Sequence, residues 1–280
     1  MRGDKTNWIA TVILQSKAAF GKTDNKSRHN ELIVTINEIL KRRDKGDGII
    51  LFPGGYFNSG KREAKTIYNA VFKQIREHLQ LIDRDIVVCV GIDGRMGRYY
   101  PKDQLALAIR KKGIVAIGRK FHPTDDEEGV IEEAQNHKSL ESGNSRYFLF
   151  KERRFYLAVC NDIFGIREKG LKNPDIDIVL NAVHQFTPRG EEGSGDVYFA
   201  RWGFAGASKQ WECPVFGSAV FFKRNIPPKW PSGVLWNQGK KDIKIWKYCN
   251  NPLVPKRTLR PIKIKEGIAS VRIYSLSPNT

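Results

Sequence analysis

The sequence predicts an α/β protein in which helices are layered on sheets. Short apolar runs rich in β-branched residues alternate with segments whose apolar residues recur every three or four positions. The 280 residues include 15 Phe, 9 Tyr and 6 Trp, which supply enough apolar surface for a folded core despite a net charge of +18. Strands that alternate with amphipathic helices are typical of α/β folds, in which the strand ends carry functional loops.

The predicted elements alternate along the chain. The apolar residues at 32–40 and 67–79 recur at helical spacing, and each segment lies between two strand-like runs. A glycine-rich segment at residues 91–97 follows the third strand, but it lacks GxGxxG spacing and a P-loop lysine, so we expect a loop at the sheet edge. The predicted strands cover residues 9–14, 49–52, 86–90, 104–109, 114–117, 155–160, 176–180 and 266–274.

Apolar patterning and cysteine usage exclude several classes of protein. The sequence has no run of roughly 18 apolar residues, so no membrane span is predicted. The apolar stretch at residues 8–14 is too short for the core of a signal peptide. Cys89, Cys160, Cys213 and Cys249 form no CxxC pair, which argues against a zinc site or a disulfide framework. We therefore expect a cytoplasmic protein.

The histidines have no spacing that suggests a bound metal. Neither HxH nor HxxxH occurs, so we predict no metal site and no cofactor. We expect the histidines to occupy surface or core positions. They are His29, His78, His122, His137 and His184.

A cysteine closes the strand predicted at residues 155–160. The polar residues Asn161 and Asp162 follow it at once, an arrangement by which a fold can present a nucleophile. A thiol near a cation and near the amides of a following turn would have its thiolate stabilised. The alternative is a buried core cysteine, and Cys89, flanked by valines, is an example of that kind in the same chain.

The order of these motifs resembles the nitrilase superfamily of carbon-nitrogen hydrolases. Residues 159–164 resemble the strand end that carries the family's nucleophile, and Lys120 within residues 118–123 resembles its lysine. Without the resemblance, Lys120 would be one of many surface lysines on a basic protein. The resemblance implies a single nitrilase-like domain over residues 1–280, a four-layer αββα sandwich and a homodimer paired through its outer helices. Further similar segments are residues 52–53, 181–182, 216–219 and 266–268.

One position departs from the family pattern. The family's general-base glutamate follows a Phe-Pro pair, whereas Gly54 follows Phe52 and Pro53 in this chain. Glycine cannot take a proton, and the loss of a general base costs about a hundred- to ten-thousand-fold in rate. Some family members carry a second glutamate shortly after the lysine, and we predict that Glu128 in the acidic run at residues 125–128 fills this role. A solvated acidic loop is the alternative.

The segment at residues 223–265 carries most of the excess charge. Its 12 Lys or Arg, one acidic residue and six prolines give a net charge of +11 and predict irregular chain that wraps over the domain. Cations interleaved with aromatic rings suit single-stranded nucleic acid or another anionic partner. The alternative is a basic surface whose tryptophans pack beneath the prolines. The candidate binding residues are Lys240, Lys241, Lys244, Trp246 and Lys247.

The resemblance implies a hydrolase that cleaves a small-molecule amide, carbamoyl group or nitrile. Cys160 would form a thioester intermediate, and Lys120 with the backbone amide of Asn161 would stabilise the developing negative charge. Glu128 would then activate water. The missing glutamate at position 54 motivates a second hypothesis, a catalytically inactive nitrilase-like module that binds nucleic acid or another anionic partner.

Overall fold

A computed structural model describes residues 7–17, 24–41, 46–95, 102–187, 195–236 and 252–276. Within these ranges the chain forms one mixed sheet flanked by helices, and the predicted strands and amphipathic helices are confirmed. The helices are α1 (Asn25–Lys41), α2 (Tyr68–Gln80), α3 (Asp162–Glu168), α4 (Gly195–Tyr198) and α5 (Ala205–Trp211), with a π-helix (Phe199–Phe204) between the last two. Two short 3-10 helices cover Ala64–Ile67 and Asp125–Glu127.

The strands follow the alternation that the sequence predicts. The first six are β1 (Asn7–Ser16), β2 (Gly48–Leu51), β3 (Phe57–Asn58), β4 (Ile86–Arg95), β5 (Lys102–Arg110) and β6 (Gly113–Arg119). The next four are β7 (Tyr147–Phe150), β8 (Arg153–Val159), β9 (Ile178–Phe186) and β10 (Val215–Phe222). The last four are β11 (Gly233–Val234), β12 (Arg257–Thr258), β13 (Ile262–Ile264) and β14 (Gly267–Leu276).

The sheet has two halves that meet at β1. The main strand order is β6-β5-β4-β2-β1-β10-β9-β8-β7. β1 pairs in parallel with β2 over residues 8–11 and with β10 over residues 14–16, and it pairs antiparallel with β14 along its whole length. Because β2 and β4 lie on one side of β1 and β8 and β9 on the other, each half presents its own strand ends.

Apolar side chains form three layers, one between the two sheet halves and one on the outer face of each half. Along β4, Val88 and Val90 pack with α1 and α2, while Val87 points the other way. Along β9, Val179 packs with α3 and α5, whereas its neighbouring residues pack on the residues of the first half. Alternation along a strand sends successive side chains to opposite faces, so one apolar layer is shared by both halves. The result is the predicted four-layer αββα arrangement.

The glycine-rich segment is strand rather than loop. Residues 91–95 continue β4 and pair with β5, so the prediction of a loop at the sheet edge is wrong for these residues; residues 96 and 97 lie outside the described ranges. A Cβ at Gly91 would lie 2.4 Å from the Cα of Gly54, so the close approach of two backbones requires glycine inside the strand. Asp93 is consequently held on a paired strand.

None of the helices in the described part of the chain is long and apolar enough to cross a bilayer.

Candidate active site

Cys160 lies in a sharp turn between β8 and α3. Its φ of 48° is in the left-handed region, which a residue other than glycine adopts at a cost of about 1–3 kcal/mol. The Cys160 N–H donates to the carbonyl of Ala182 on β9 at 2.9 Å, and the Asn181 side-chain amide donates to the Cys160 carbonyl at 3.0 Å. Two hydrogen bonds to residues of β9 thus hold the strained Cys160 backbone in place. The Cys160 side chain is partly buried.

The buried carboxylate of Asp162 connects the cysteine turn to the lysine segment. Its Oδ1 accepts the backbone N–H groups of Phe121 at 2.7 Å and His122 at 3.1 Å. Its Oδ2 accepts the Val159 N–H at 3.1 Å and pairs with the buried Arg146 at 3.3 Å. One side chain therefore fixes the end of β8 relative to the segment after β6. Satisfied buried networks of this kind hold their members rigidly.

Lys120 follows β6, and only 1% of its side chain is exposed. Its Nζ donates to the Gln104 Oε1 at 3.0 Å and forms an ion pair with Glu127. The Oε2 of Glu127 also accepts the Thr124 N–H at 3.0 Å and the Thr124 hydroxyl at 3.1 Å. An ammonium has three N–H donors, so two fixed partners leave one donor for the interior of the site.

His184 on β9 and Asp93 on β4 form a second charged pair. The His184 Nε2 lies 2.8 Å from the Asp93 Oδ1, and because a carboxylate only accepts, the ring nitrogen donates. The side chains are 17% and 28% exposed, respectively. The second ring nitrogen, Nδ1, is buried without a regular hydrogen bond to the described residues, and the ring's other polar interaction is with Cys160.

These charges act on the Cys160 thiol. Burial alone would raise the pKa of this thiol, but the positive charges of His184 and Lys120 lower it overall. Burial lowers the pKa of His184, while the Asp93 carboxylate and the Cys160 thiolate raise it to about 10. Each shift favours the charged form of its group, so a Cys160 thiolate and a His184 imidazolium stabilise each other.

A cavity of about 780 Å³ opens over this group, which is within the usual size of a small-molecule site. Both charged pairs and the thiol line it. Its aromatic wall comes from α3, α4 and the π-helix. The lining side chains with chemical or aromatic character include Asp93, Gln104, Lys120, Glu127, Glu128, Cys160, Asn161, Phe164, His184, Tyr198 and Phe199.

Comparison with known proteins finds likeness in structure only. No protein-family model matches the chain, and no curated protein matches it in sequence. A double mutant of the amidase from Nesterenkonia sp. AN1 in complex with acrylamide superposes with a TM-score of 0.62 at 11% identity, over 100% of this chain and 94% of that one. A carbon-nitrogen hydrolase from Helicobacter pylori G27 gives a TM-score of 0.59 at 10% identity, over 97% and 90%.

The chain has the fold of the carbon-nitrogen hydrolases. A third similar structure is a CN-hydrolase superfamily protein from Xanthomonas campestris with an arsenic adduct in its active site. It superposes with a TM-score of 0.57 at 11% identity, over 97% of this chain and 91% of that one. The agreement is in the fold, and it matches the αββα sandwich that the resemblance implies.

In this nitrilase-type fold, the two glycines after Pro53 lie against the histidine-carboxylate pair. A Cβ at Gly54 would lie 2.9 Å from two ring atoms of His184 and 2.7 Å from the carbonyl oxygen of Ala182. A Cβ at Gly55, whose φ is 59°, would lie 2.6 Å from the Asp93 Oδ2. The correspondence of Gly54 with the family's glutamate stays a prediction. The geometry shows that His184 and Asp93 occupy the space that side chains at positions 54 and 55 would need.

The structure brings the predicted catalytic residues together on one cavity. Cys160 and Lys120 line the same cavity, and the backbone N–H of Asn161 has no acceptor among the described residues, which leaves it available to a substrate oxygen. Glu128 also lines the cavity, but the residue that contacts Lys120 is its neighbour Glu127. The choice of Glu128 as the base remains untested, and the contacts favour Glu127 as the lysine's partner.

Sequence reasoning missed His184, Asp93 and Glu127. His184 appeared only as a histidine without metal spacing, and Asp93 fell in a segment predicted to be loop. One signal in the sequence could have found His184. It follows the strand predicted at residues 176–180, and the carboxyl ends of neighbouring parallel strands share one edge of a sheet.

The basic segment is partly described. Residues 223–236 and 252–265 attach to the sheet through β11, β12 and β13. Trp230 is fully buried among aromatic rings and donates to the Asp196 carbonyl, so this tryptophan packs in the core. The candidate binding residues Lys240, Lys241, Lys244, Trp246 and Lys247 lie outside the described residues. Within the described ranges, no group of three or more His, Cys, Asp or Glu side chains is arranged to hold a metal ion.

Proposed function

We propose that the chain is a carbon-nitrogen hydrolase that cleaves an amide, a carbamoyl group or a nitrile through a thioester at Cys160. The observation that carries the proposal is the environment of the thiol. Cys160 stands at a strained strand end on a small-molecule cavity, and two cations lower its pKa. Strained backbone and perturbed pKa values cluster at catalytic sites.

The positions of Lys120 and Asn161 support acyl transfer. The thiolate attacks the electrophilic carbon, and negative charge develops on the substrate oxygen or nitrogen. The third N–H of the Lys120 ammonium and the backbone N–H of Asn161 are the donors that stabilise this charge. In comparable sites a single donor stabilises the transition state by about 3–4 kcal/mol. Ammonia or an amine leaves, and water then hydrolyses the thioester.

The alternative of an inactive binding module has less support. The lysine and the thiol that a hydrolase needs share one cavity, and the residues considered for nucleic-acid binding lie outside the described residues. The mechanism requires a reduced thiol, which fits the cytoplasmic location expected from the sequence. The acrylamide complex of the Nesterenkonia amidase makes small aliphatic amides a suitable starting set of substrates.

A substrate screen tests the proposal. Ammonia release would be measured over a panel of small amides, carbamoyl compounds and nitriles, with intact-protein mass spectrometry to detect an acyl adduct. We expect turnover of at least one class and a transient adduct on the peptide that contains Cys160. Turnover that persists unchanged in a Cys160→Ala variant would show that the thioester route is wrong.

A further inference from the structure

The structure offers a proton carrier for the thiol that is not a glutamate. His184 lines the cavity together with Cys160, whose N–H is bound to Ala182 on the same strand, and its ring pairs with Asp93 at 2.8 Å. The three residues of this group come from the turn after β8, from β9 and from β4. Building on the proposed function, we propose that Cys160, His184 and Asp93 form a catalytic triad in which His184 moves the protons and Asp93 positions its ring. Such triads recur on unrelated folds and are recognised by geometry.

The hydrogen bond to Asp93 selects the state of the ring. Since the Nε2–H donates to the carboxylate, the neutral ring carries its lone pair on Nδ1, the nitrogen left for the thiol. Asp93 is thus a positioning residue, and His184 touches the reacting atoms.

The two glutamates near the lysine are less suited to proton transfer. Burial would raise the pKa of Glu127, but Lys120 and the backbone of Thr124 hold it at about 2, so its carboxylate stays ionised. Both carboxylate oxygens have partners, because the Gln104 amide donates to Oε1 at 3.3 Å and Lys120 binds Oε2. Glu127 therefore anchors the lysine. Glu128 is exposed and forms no ion pair within the described part of the chain.

In the acylation half-reaction, the resting thiolate-imidazolium pair supplies both nucleophile and acid. The Cys160 sulfur forms a bond to the amide carbon, and the carbonyl π electrons move to oxygen. The His184 Nδ1–H then gives its proton to the departing nitrogen, and the carbon-nitrogen bond breaks as the carbonyl re-forms. Ammonia or an amine leaves, a thioester remains on Cys160, and His184 is neutral.

In the deacylation half-reaction, neutral His184 acts as the base. Its Nδ1 takes a proton from water while the water oxygen bonds to the thioester carbon. Collapse of the tetrahedral intermediate breaks the carbon-sulfur bond and returns the thiolate, with His184 again an imidazolium. The sum is amide plus water giving carboxylic acid plus ammonia or amine, so atoms and charges balance without a further reactant.

The first test measures the thiol and needs no substrate. Iodoacetamide alkylation of each cysteine would be followed by peptide mapping between pH 4 and 10 in the wild type and in His184→Gln, Asp93→Asn and His122→Gln variants. His122 is the matched control, a histidine paired with Glu168 at 3.2 Å on the same cavity. The ionisable groups that surround Cys160 are His184 on β9, Lys120 after β6 and Asp162 on α3, with Asp93 and Glu127 behind them.

We expect His184→Gln to move the alkylation midpoint of Cys160 to higher pH by one unit or more, so that labelling at pH 6 slows about tenfold or further. Asp93→Asn should shift the midpoint in the same direction by less, and His122→Gln should leave it in place. Lys120 remains in all three variants, so a profile that is unchanged in His184→Gln would assign the thiolate to the lysine alone and overturn the triad.

A second measurement uses the wild type and does not depend on how the variants fold. NMR titration of ring-labelled histidines, before and after Cys160 is alkylated, reports the pKa of His184 directly. Removing the thiolate takes away one of the charges that raise this pKa, so we expect it to fall. Equal His184 titrations in the two states would also overturn the proposal.

The outcomes separate the triad from the proposed hydrolase activity. If the thiolate-imidazolium pair is found but no amide, carbamoyl compound or nitrile is turned over, the hydrolase proposal fails and the triad stands. If turnover depends on Cys160 while His184→Gln changes neither the alkylation profile nor the rate at which the acyl adduct decays, the hydrolase stands and the triad fails.

Discussion

Cys89 lies within an apolar strand and Cys160 directly follows one, yet one thiol has apolar surroundings and the other has charged surroundings. Cys89 points from the middle of β4 into the apolar layer between the sheet halves, where burial raises the pKa of its thiol. Cys160 stands one residue beyond β8 and meets His184 and Lys120, whose charges lower its pKa. The comparison teaches that thiol chemistry is set by the cations that other strands deliver to a strand end, since the adjacent sequence is similar.

Removing each thiol is the strongest way to break the comparison. We expect Cys160→Ala to lose about 10⁴-fold or more in turnover, as is found when a covalent nucleophile is deleted. Cys89→Ala should keep the rate and lower the free energy of unfolding by about 1 kcal/mol, because it removes one buried atom. Initial rates and chemical denaturation would measure the two effects. Equal losses of activity would mean that the two cysteines do not differ in role.

Lys120→Met removes one of the two cations beside Cys160. We expect kcat to fall by about 10²–10³-fold, since a donor to the developing negative charge is lost. The pKa of Cys160 should also rise, which the pH profile of alkylation would show. Lys112→Met on the exposed β5–β6 turn is the matched control. A loss in the control as large as that in Lys120→Met would point to a general effect of lysine removal.

Low pH should weaken the Glu127–Lys120 ion pair beside Cys160, whereas the apolar surroundings of Cys89 carry no charge to lose. Burial opposes ionisation of Glu127, but Lys120 holds its folded-state pKa at about 2, below the unfolded value. A depressed carboxyl pKa contributes stability above the unfolded pKa, and this is lost as pH falls through the folded value. Between about pH 5 and pH 2 we expect the wild type to lose on the order of 2 kcal/mol more than Glu127→Gln. Urea denaturation series at several pH values would measure this, and parallel curves would contradict it.

The smallest expected effect separates the two neighbouring glutamates. Glu127→Gln leaves the Lys120 ammonium without its charged partner, so we expect turnover to fall by about tenfold. Glu128→Gln should cost less, because that side chain is exposed and has no ion pair within the described residues. Steady-state rates of the two variants decide the matter. A larger loss for Glu128→Gln would restore Glu128 as the base predicted from the sequence.

Much of the fold is readable from the sequence because apolar periodicity is a local signal. The runs at residues 9–14 and 86–90 correspond to β1 and β4, and the helical spacing at 67–79 corresponds to α2. The exception is residues 91–95, where glycines suggested a loop. As paired strand, they bring Gly91 against the backbone of Gly54, a contact between distant segments that no local pattern records.

The sequence identifies site residues only where a reactive residue type directly follows a predicted strand. Cys160 and Lys120 each follow a strand, so their type and position identify them. His184 and Asp93 are 91 residues apart, and nothing in either segment indicates the other. Between Glu127 and Glu128, the choice depends on the Thr124 cap of a short 3-10 helix, which turns Glu127 toward Lys120. Such one-residue distinctions arise from tertiary geometry.

The glycine at position 54 also bears on how this site is able to evolve. A glutamate there would collide with the His184 ring and the Ala182 carbonyl from its first side-chain atom, so both would have to shift to admit it. A side chain at position 54 and the His184 ring need the same space, so the effects of substitutions at the two positions should not be additive. The residue that position 54 tolerates is thus set by a side chain 130 positions along the chain, which is epistasis between distant segments.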